Sequence, residues 1–350
     1  MLRSGLILLL LSCFSQMSIA QTRPETALFE GKIGEIDEDN IFRSPDYFNW
    51  GGSIVKAEDG LYHLFYSRWP RATKFTGWLL FSEVAHAVSE NPSGPWEYKE
   101  TVLQGRGAGY WDAITAHNPK IKYFDGKYYL YYISSNLGDS SFTEDELMEI
   151  SLEGYSHPRW KILRPNQRTG VAVANSLTGP WKRFDDPLIE PSGPITTLTV
   201  NPAIDKGKDG RYYLIVKGDK PNEPNFVRNQ AMGIGDSPTG PFIIQPDPVI
   251  DYMDTEDMSL WYDQKRDKYY GIFHAHTFIG LVSSADGIHW EKAEEYEIMP
   301  KEIKRKDGTS IIPDRMERPF VFRENGEIRV LGLAIKKGDD SYIVTIPVQE

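Results

Sequence analysis

HNPKIKYFDGKYYLYYI, residues 117–133, is the stretch on which the reading of this chain turns. Its apolar positions alternate, Ile121 and Tyr123 on one side and Tyr129 and Tyr131 on the other, around Asp125-Gly126. Asp-Gly between two alternating runs signals a tight β-hairpin, because Gly accepts the positive φ that such turns need. The same grammar returns as SIVKAEDGLYHLFYS (53–67), NPAIDKGKDGRYYLIVKG (201–218), MSLWYDQKRDKYYGIFHA (258–275) and RPFVFRENGEIRVLGLA (318–334). One hairpin repeated five times describes a repeat protein whose function sits where the copies converge.

A second motif follows the hairpins: AHAVSENPSGPWEY (85–98), VAVANSLTGPWKRF (171–184), MGIGDSPTGPFII (232–244) and GLVSSADGIHWEKA (280–293). Each reads as a strand, a turn rich in Gly, Pro or Asp, and an aromatic that opens another strand. Inner and outer hairpins together make four strands per unit, at a period of roughly sixty residues, the signature of a propeller blade. The expected fold is therefore all-β, a five-bladed propeller with four-stranded blades forming one domain over 21–350. Residues 21–45 are expected to lead in or to close the ring, and SYIVTIPV (341–348) to complete a blade. Residues 138–170 break the rhythm and read as an insertion in the second blade. TEDELMEI, with a Thr cap and an acidic first turn, predicts a short helix over 143–150. Such an insertion either projects over the binding face or is a solvated loop.

Residues 1–20 resemble a secretory leader: Arg3 supplies the positive start, Gly5–Phe14 the apolar core, and Ser18-Ile19-Ala20 the small-residue cleavage site. The expected location is secreted or periplasmic, with Cys13, the only cysteine, as an alternative lipoprotein anchor. No later segment is apolar enough to span a membrane, so no integral membrane segment is expected in the mature chain. A net charge of −11 excludes a nucleic-acid partner, which wants a basic face. The 13% aromatic content suits both β-structure and sugar stacking.

Aligning the inner strands on the position before Pro, or its equivalent, gives Trp50-Gly51, His117-Asn118, Val200-Asn201, Glu256-Asp257 and Glu317-Arg318. Four of the five carry polar or ionisable groups that a structural strand entry would not need. A pit ringed by such groups suits an oligosaccharide, and Trp50, Trp69, Trp111 and Trp261 offer stacking faces. Arg68, beside Trp69, can clamp a carboxylate. His274 and His276 would share one face of a strand. A His-x-His pair can ligate a metal, but no third ligand of fitting spacing accompanies it, so neither metal nor cofactor is expected and both are read as substrate contacts.

The blade grammar, DGKYYLYY and SPTGP-aromatic, resembles that of the five-bladed propeller glycosidases of glycoside hydrolase families 43 and 117 over nearly the whole mature chain. The resemblance implies a general-base Asp before Pro in the first blade, a second Asp after Pro that tunes it, and a general-acid Glu. Glu256 fits the acid's pattern, one blade late; Gly51 stands where the base belongs, and Lys120 where the second Asp belongs. Asp46, Asp112 or Asp257 can replace the base, leaving an exo-glycosidase. Alternatively the reaction is elimination of water from a terminal uronic acid of oligosaccharides from an anionic cell-wall polysaccharide. There Arg318, Arg68 or Lys120 neutralises the carboxylate, His117, His274, His276 or a nearby tyrosine takes the C5 proton, and Glu256 or Glu317 assists the leaving oxygen. The sequence favours this oligosaccharide dehydratase narrowly, on Gly51 and Lys120; a non-catalytic glycan binder is the third reading. The expected catalytic set is His117, Glu256, Glu317 and Arg318. The expected substrate contacts are Trp50, Arg68, Trp69, Asn118, Lys120, Asn201, Asp257, His274 and His276.

Overall fold

A computed structural model describes residues 27–138, 140–223 and 226–349; the leader read over residues 1–20, with Cys13, lies outside them. Five four-stranded antiparallel sheets follow one another as blades. Blade I comprises Tyr47–Lys56, Tyr62–Pro70, Glu83–Ser89 and Glu97–Leu103, and blade II His117–Phe124, Lys127–Ser134, Arg168–Ala174 and Lys182–Arg183. Blade III comprises Thr196–Lys206, Tyr212–Asp219, Arg228–Gly235 and Ile243–Ile250. Blade IV comprises Glu256–Asp263, Lys268–His274, Phe278–Ser284 and Glu291–Pro300. Blade V takes Arg315–Glu324, Glu327–Lys337 and Asp340–Pro347 from the end of the chain and its outer strand, Ile41–Phe42, from the beginning. Ile41 pairs with Val344 and Phe42 with Ile343, so the lead-in closes the ring by hydrogen bonds between distant parts of the chain.

The hairpin that opened the sequence argument is a two-residue turn. Phe124 pairs with Lys127, and Asp125 and Gly126 sit at φ 49° and 83°. Positive φ at both central residues defines the type I′ turn, whose twist matches that of the flanking strands. Asn325-Gly326 repeats it, with φ 53° and 82° and Glu324 opposite Glu327. The other three hairpins carry longer loops, as between Lys56 and Tyr62.

The core lies between blades. Leu64, Tyr66, Phe320 and Ile343 join blades I and V, and Phe65, Val84, Ile121 and Leu130 join I and II. Ile215, Met232, Leu260 and Tyr269 join III and IV. Each four-stranded sheet has two apolar faces, so a blade is stable only when both are covered, and ring closure supplies the last face. The insertion separates the second and third strands of blade II. Its helix, Glu144–Glu153, starts at a capping box in which Thr143 and Glu146 satisfy each other's backbone amides. Leu147, Ile150, Trp160 and Leu163 pack on Leu79 and Leu80 of blade I, which ties the insertion over one end of the channel. No helix among the described residues is long and apolar enough to cross a membrane.

Candidate active site

All five inner strands run the same way along the channel, and each breaks register at the same place: Trp50/Gly52, His117/Lys120, Val200/Ala203, Glu256/Ser259 and Glu317/Phe320. At each break Gly51, Asn118, Asn201, Asp257 or Arg318 adopts a φ of 55°, 52°, 56°, 64° or 57°. Gly, Asn and Asp tolerate this left-handed region; Arg318 holds it with an ion pair to Asp257. These bulges turn five side-chain positions toward the axis. The Asn118 and Asn201 amides meet at 2.9 Å, Asn201 Nδ2 donates to Asp257 Oδ1 at 2.5 Å, and His274 Nδ1 lies 3.3 Å from Asp257 Oδ2. The ring leaves a void of only 10 Å³ and divides the channel in two. A Cβ at Gly51 would stand 3.3 Å from the Asn118 side-chain amide and 3.7 Å from Arg318 Cγ, so these neighbours occupy the space beside that glycine.

At the end where the strands begin, the residues one step before the ring line a cavity of 400 Å³: Trp50, His117, Val200, Glu256 and Glu317. One wall is aromatic. Trp50, Trp69 and Phe75 pack edge to face or tilted, and Trp78 lies between His117 and Trp160 with centroids at 5.1 and 6.4 Å. Tyr155, from the insertion, accepts from Trp78 Nε1 at 3.2 Å. The opposite wall is charged. Lys217 and Arg228, on the second and third strands of blade III, both pair with Glu256, Arg228 at 3.3 Å; Arg315 Nη1 lies 3.8 Å from Glu317. Arg164 of the insertion makes a bidentate pair with Asp219 at 2.6 and 2.7 Å and stacks on Phe226.

These neighbours set the protonation states. Burial raises the Glu256 carboxyl, but Lys217, Arg228, His274 and Arg318 together outweigh it and hold Glu256 well below the usual carboxylate range. Glu256 is thus a fixed carboxylate. Asp257, buried below it, is pushed up by desolvation, which Arg318 opposes and Glu256 reinforces. Burial and then Arg318 push His117 well below the ordinary imidazole value, so it is neutral. His117 Nδ1 sits 2.7 Å from Ser82 Oγ, and with the Asn118 amide oxygen facing Arg318 the Asn118 Nδ2 donates to His117 Nε2 at 3.0 Å. Glu256, Asp257 and His274 bring one possible metal-ligand atom each within 4.8 Å of one another, but Lys217, Arg228 and Arg318 already neutralise the two carboxylates.

The structure gathers much of the expected site and corrects the rest. Trp50, Trp69, His117, Glu256, Glu317 and Arg318 line the cavity, and Asn118, Asn201 and Asp257 form its floor with His274 behind. Lys120 lies past the ring and lines the other end of the channel, because two residues of strand carry it about 7 Å along the axis. Arg68 is consumed in blade I: its Nε bonds Glu83 at 2.7 Å, its Nη2 donates to Tyr98 and Thr101, and its guanidinium stacks between Tyr47 and Tyr98. His276 is exposed and outside the cavity, because the strand ends at His274 and the two do not share a strand face. Trp111 stacks on Tyr132, and Trp261 lines the far end, so neither offers a face to this cavity. Of the proposed replacement bases, Asp46 is exposed and Asp112 is fully buried between Arg106 and Arg183, with Tyr132 donating to it. Missed from sequence were Trp78, Tyr155, Trp160, Lys217, Arg228 and Arg315. WKILR (160–164), an aromatic-basic run in the insertion, is a signal that could have pointed to Trp160 and to Arg164, whereas nothing local marks Lys217 and Arg228, whose partner Glu256 lies in the next blade.

At the level of sequence, no protein-family model and no curated protein matches this chain. Solved structures are similar to it. The BT0996 RGII complex superposes with a TM-score of 0.65 at 13% identity, covering 92% of this chain and 93% of that one. Zg3597, a family 117 glycoside hydrolase produced by the marine bacterium Zobellia galactanivorans, gives 0.59 at 18% identity, covering 90% and 87%. CoXyl43, a family 43 β-xylosidase/α-arabinofuranosidase from a compost microbial metagenome, solved with xylotriose, gives 0.58 at 13% identity, covering 87% and 94%. At such identities the likeness speaks for architecture: this chain folds as the five-bladed propeller found in glycoside hydrolases of families 43 and 117.

Proposed function

We propose that this chain is an exported carbohydrate-active enzyme, an exo-acting glycoside hydrolase that removes a terminal sugar from an anionic oligosaccharide. The observation that carries the reading is that Glu256 and Glu317, on neighbouring inner strands, face one pocket with an aromatic wall. Hydrolysis of a glycosidic bond needs two carboxyl groups: one protonates the leaving oxygen, and the other activates water or attacks the anomeric carbon. Glu256, held ionised by its cations, takes the second role. Glu317, whose one ion-pair partner among the described residues is Arg315 at 3.8 Å, takes the first. Trp50, Trp78 and Trp160 supply apolar faces for sugar rings, and neutral His117 is a hydrogen-bonding partner for a hydroxyl. The sealed floor and the insertion over the mouth favour a chain end over a through-running polymer.

Five cationic side chains line the pocket, but Arg164 is committed to Asp219, Arg318 to Asp257, Arg228 to Asp254 and Glu256, and Lys217 to Glu256. Arg315, exposed and only 3.8 Å from Glu317, is the cation left to meet a substrate carboxylate, which supports an anionic substrate. The leader over residues 1–20 supports export, toward polysaccharide outside the cytoplasm.

Elimination from a terminal uronate remains the second reading, favoured by neutral His117 beside Arg318. It loses two of the three cations that recommended it from sequence, since Lys120 and Arg68 are outside the pocket, and keeps Arg318. Incubation with uronate-terminated oligosaccharides, followed by mass spectrometry and ultraviolet absorbance, separates the readings. Products shortened by one sugar with net gain of water support hydrolysis. Loss of water with a new 4,5-unsaturated chromophore supports elimination, and unchanged but bound substrate reduces the chain to a glycan binder.

A further inference from the structure

The channel continues beyond the ring of Gly51, Asn118, Asn201, Asp257 and Arg318 into a second cavity of 520 Å³, opening at the end where the inner strands finish. Four cations line it, Lys56, Lys120, Lys122 and Arg323, against two carboxylates, Asp205 and Glu324. Both carboxylates are already engaged. Asp205 pairs with Lys122 at 3.3 Å and accepts from the Tyr262 amide at 2.9 Å; Glu324 pairs with Lys56 at 2.7 Å. Arg323 donates to the Tyr262 and Gly326 carbonyls at 2.9 and 3.2 Å and lies 4.0 Å from Asp263. Lys120 is left over. Among the described residues its ammonium has no hydrogen-bond acceptor and no ion-pair partner, only the Phe320 ring at 5.8 Å.

We infer that this far cavity is a binding site for a small oxyanion, a carboxylate or sulfate-like group, held by Lys120 and separate from the sugar pocket. Lys120 is partly exposed to this cavity and no protein acceptor meets its ammonium there, so an oxyanion in the cavity can complete its charge-assisted hydrogen bonds. The charges around Lys120 explain why the protein does not supply one. Arg318 of blade V and Lys122 of its own strand repel it; Asp257 of blade IV attracts it but is committed to Arg318 and Asn201. Lys56, Asp205, Arg323 and Glu324 face the same space from blades I, III and V. Burial first, then Arg318, brings the Lys120 amine down to about 7. An anion that requires the ammonium form raises that value on binding, so the complex takes up a proton when formed above pH 7.

Calorimetric titration of the full chain with sodium sulfate, and separately with sodium acetate, at constant ionic strength and in buffers of different ionisation heat, tests the site. Neither probe titrates near neutrality. The expected result is one sulfate per chain, proton uptake approaching one per anion well above pH 7, and an affinity falling toward tenfold per pH unit there. Lys120→Met should weaken binding at least tenfold, whereas Arg315→Met, which removes an exposed cation from the sugar pocket, should leave it unchanged. Sulfate alone identifies a mineral oxyanion, and acetate as well identifies a carboxylate site. No heat with either probe, binding without proton uptake above pH 7, or loss of binding in Arg315→Met would overturn the inference. Proton uptake by the unsubstituted protein decides the matter should Lys120→Met fail to fold.

Discussion

Replacing Glu256 by Gln removes one charge and almost no volume, which isolates the electrostatics of the pocket. The Glu256 side chain is 15% exposed, and its partners Lys217 and Arg228 are 12% and 23% exposed. Breaking a buried pair by neutralising one member costs about 3 kcal/mol, since the stranded cations lose their compensation while remaining desolvated. The penalty should also depend on pH with a definite sign. The folded-state value of Glu256 is depressed, so its contribution is complete above the unfolded value of about 4.3 and is lost as pH falls below it. At pH 3 the unfolded carboxyl is mostly protonated while the folded one is not, which erodes about 1.8 kcal/mol of the difference. Urea titrations of both proteins, followed by tryptophan fluorescence at pH 7, 5.5 and 3, give the comparison. A penalty of about 3 kcal/mol at the two higher pH values, shrinking to about 1 kcal/mol at the lowest, is expected. A loss below about 1 kcal/mol at pH 7, or one independent of pH, would refute the argument that cations hold Glu256 ionised.

Tyr155→Ala should raise KM about tenfold with kcat and thermal midpoint nearly unchanged, because Tyr155 is 55% exposed and meets the pocket edge-on to Trp160; steady-state kinetics with a uronate-terminated oligosaccharide checks it. Asp112→Asn should cost about 3–5 kcal/mol in urea titration, since Arg106 and Arg183 would be left beside a neutral amide, while the folded fraction keeps full turnover. Full turnover there excludes Asp112 as the base. Arg68→Ala should leave KM unchanged, as its guanidinium is committed to Glu83, Tyr98 and Thr101; a KM rise beyond a few-fold would return it to the site.

The hairpins made the architecture legible, because tight turns depend on residues adjacent in sequence. Asp125-Gly126 and Asn325-Gly326 need positive φ at two successive positions, and few residue pairs allow that. The bulge ring was legible for a related reason: Asn118, Asn201 and Asp257 are the non-glycine residues most at ease in the left-handed region, and they recur at one place in the repeat. Finding the ring also located His117, Glu256 and Glu317 one step before it. What lay outside this logic depended on contacts distant in the chain. Arg68 is drawn away because its strand partner across the ladder is Glu83. Lys120 is carried through to the other end because the strand continues past the bulge. Trp78, Tyr155 and Trp160 come together only when the insertion packs on Leu79 and Leu80, a contact without periodicity in the sequence. Lys217 and Arg228 meet Glu256 across a blade boundary, which local patterning does not encode.

The central claim, that two carboxyl groups in this pocket split a glycosidic bond with water, is tested most directly by turnover in water enriched in heavy oxygen. Mass spectrometry of the released sugar should find one heavy oxygen at its anomeric carbon, and none should be released by Glu256→Gln or Glu317→Gln. A product that carries no label and absorbs in the ultraviolet would contradict hydrolysis, and undiminished release by either variant would contradict the assignment of the pair.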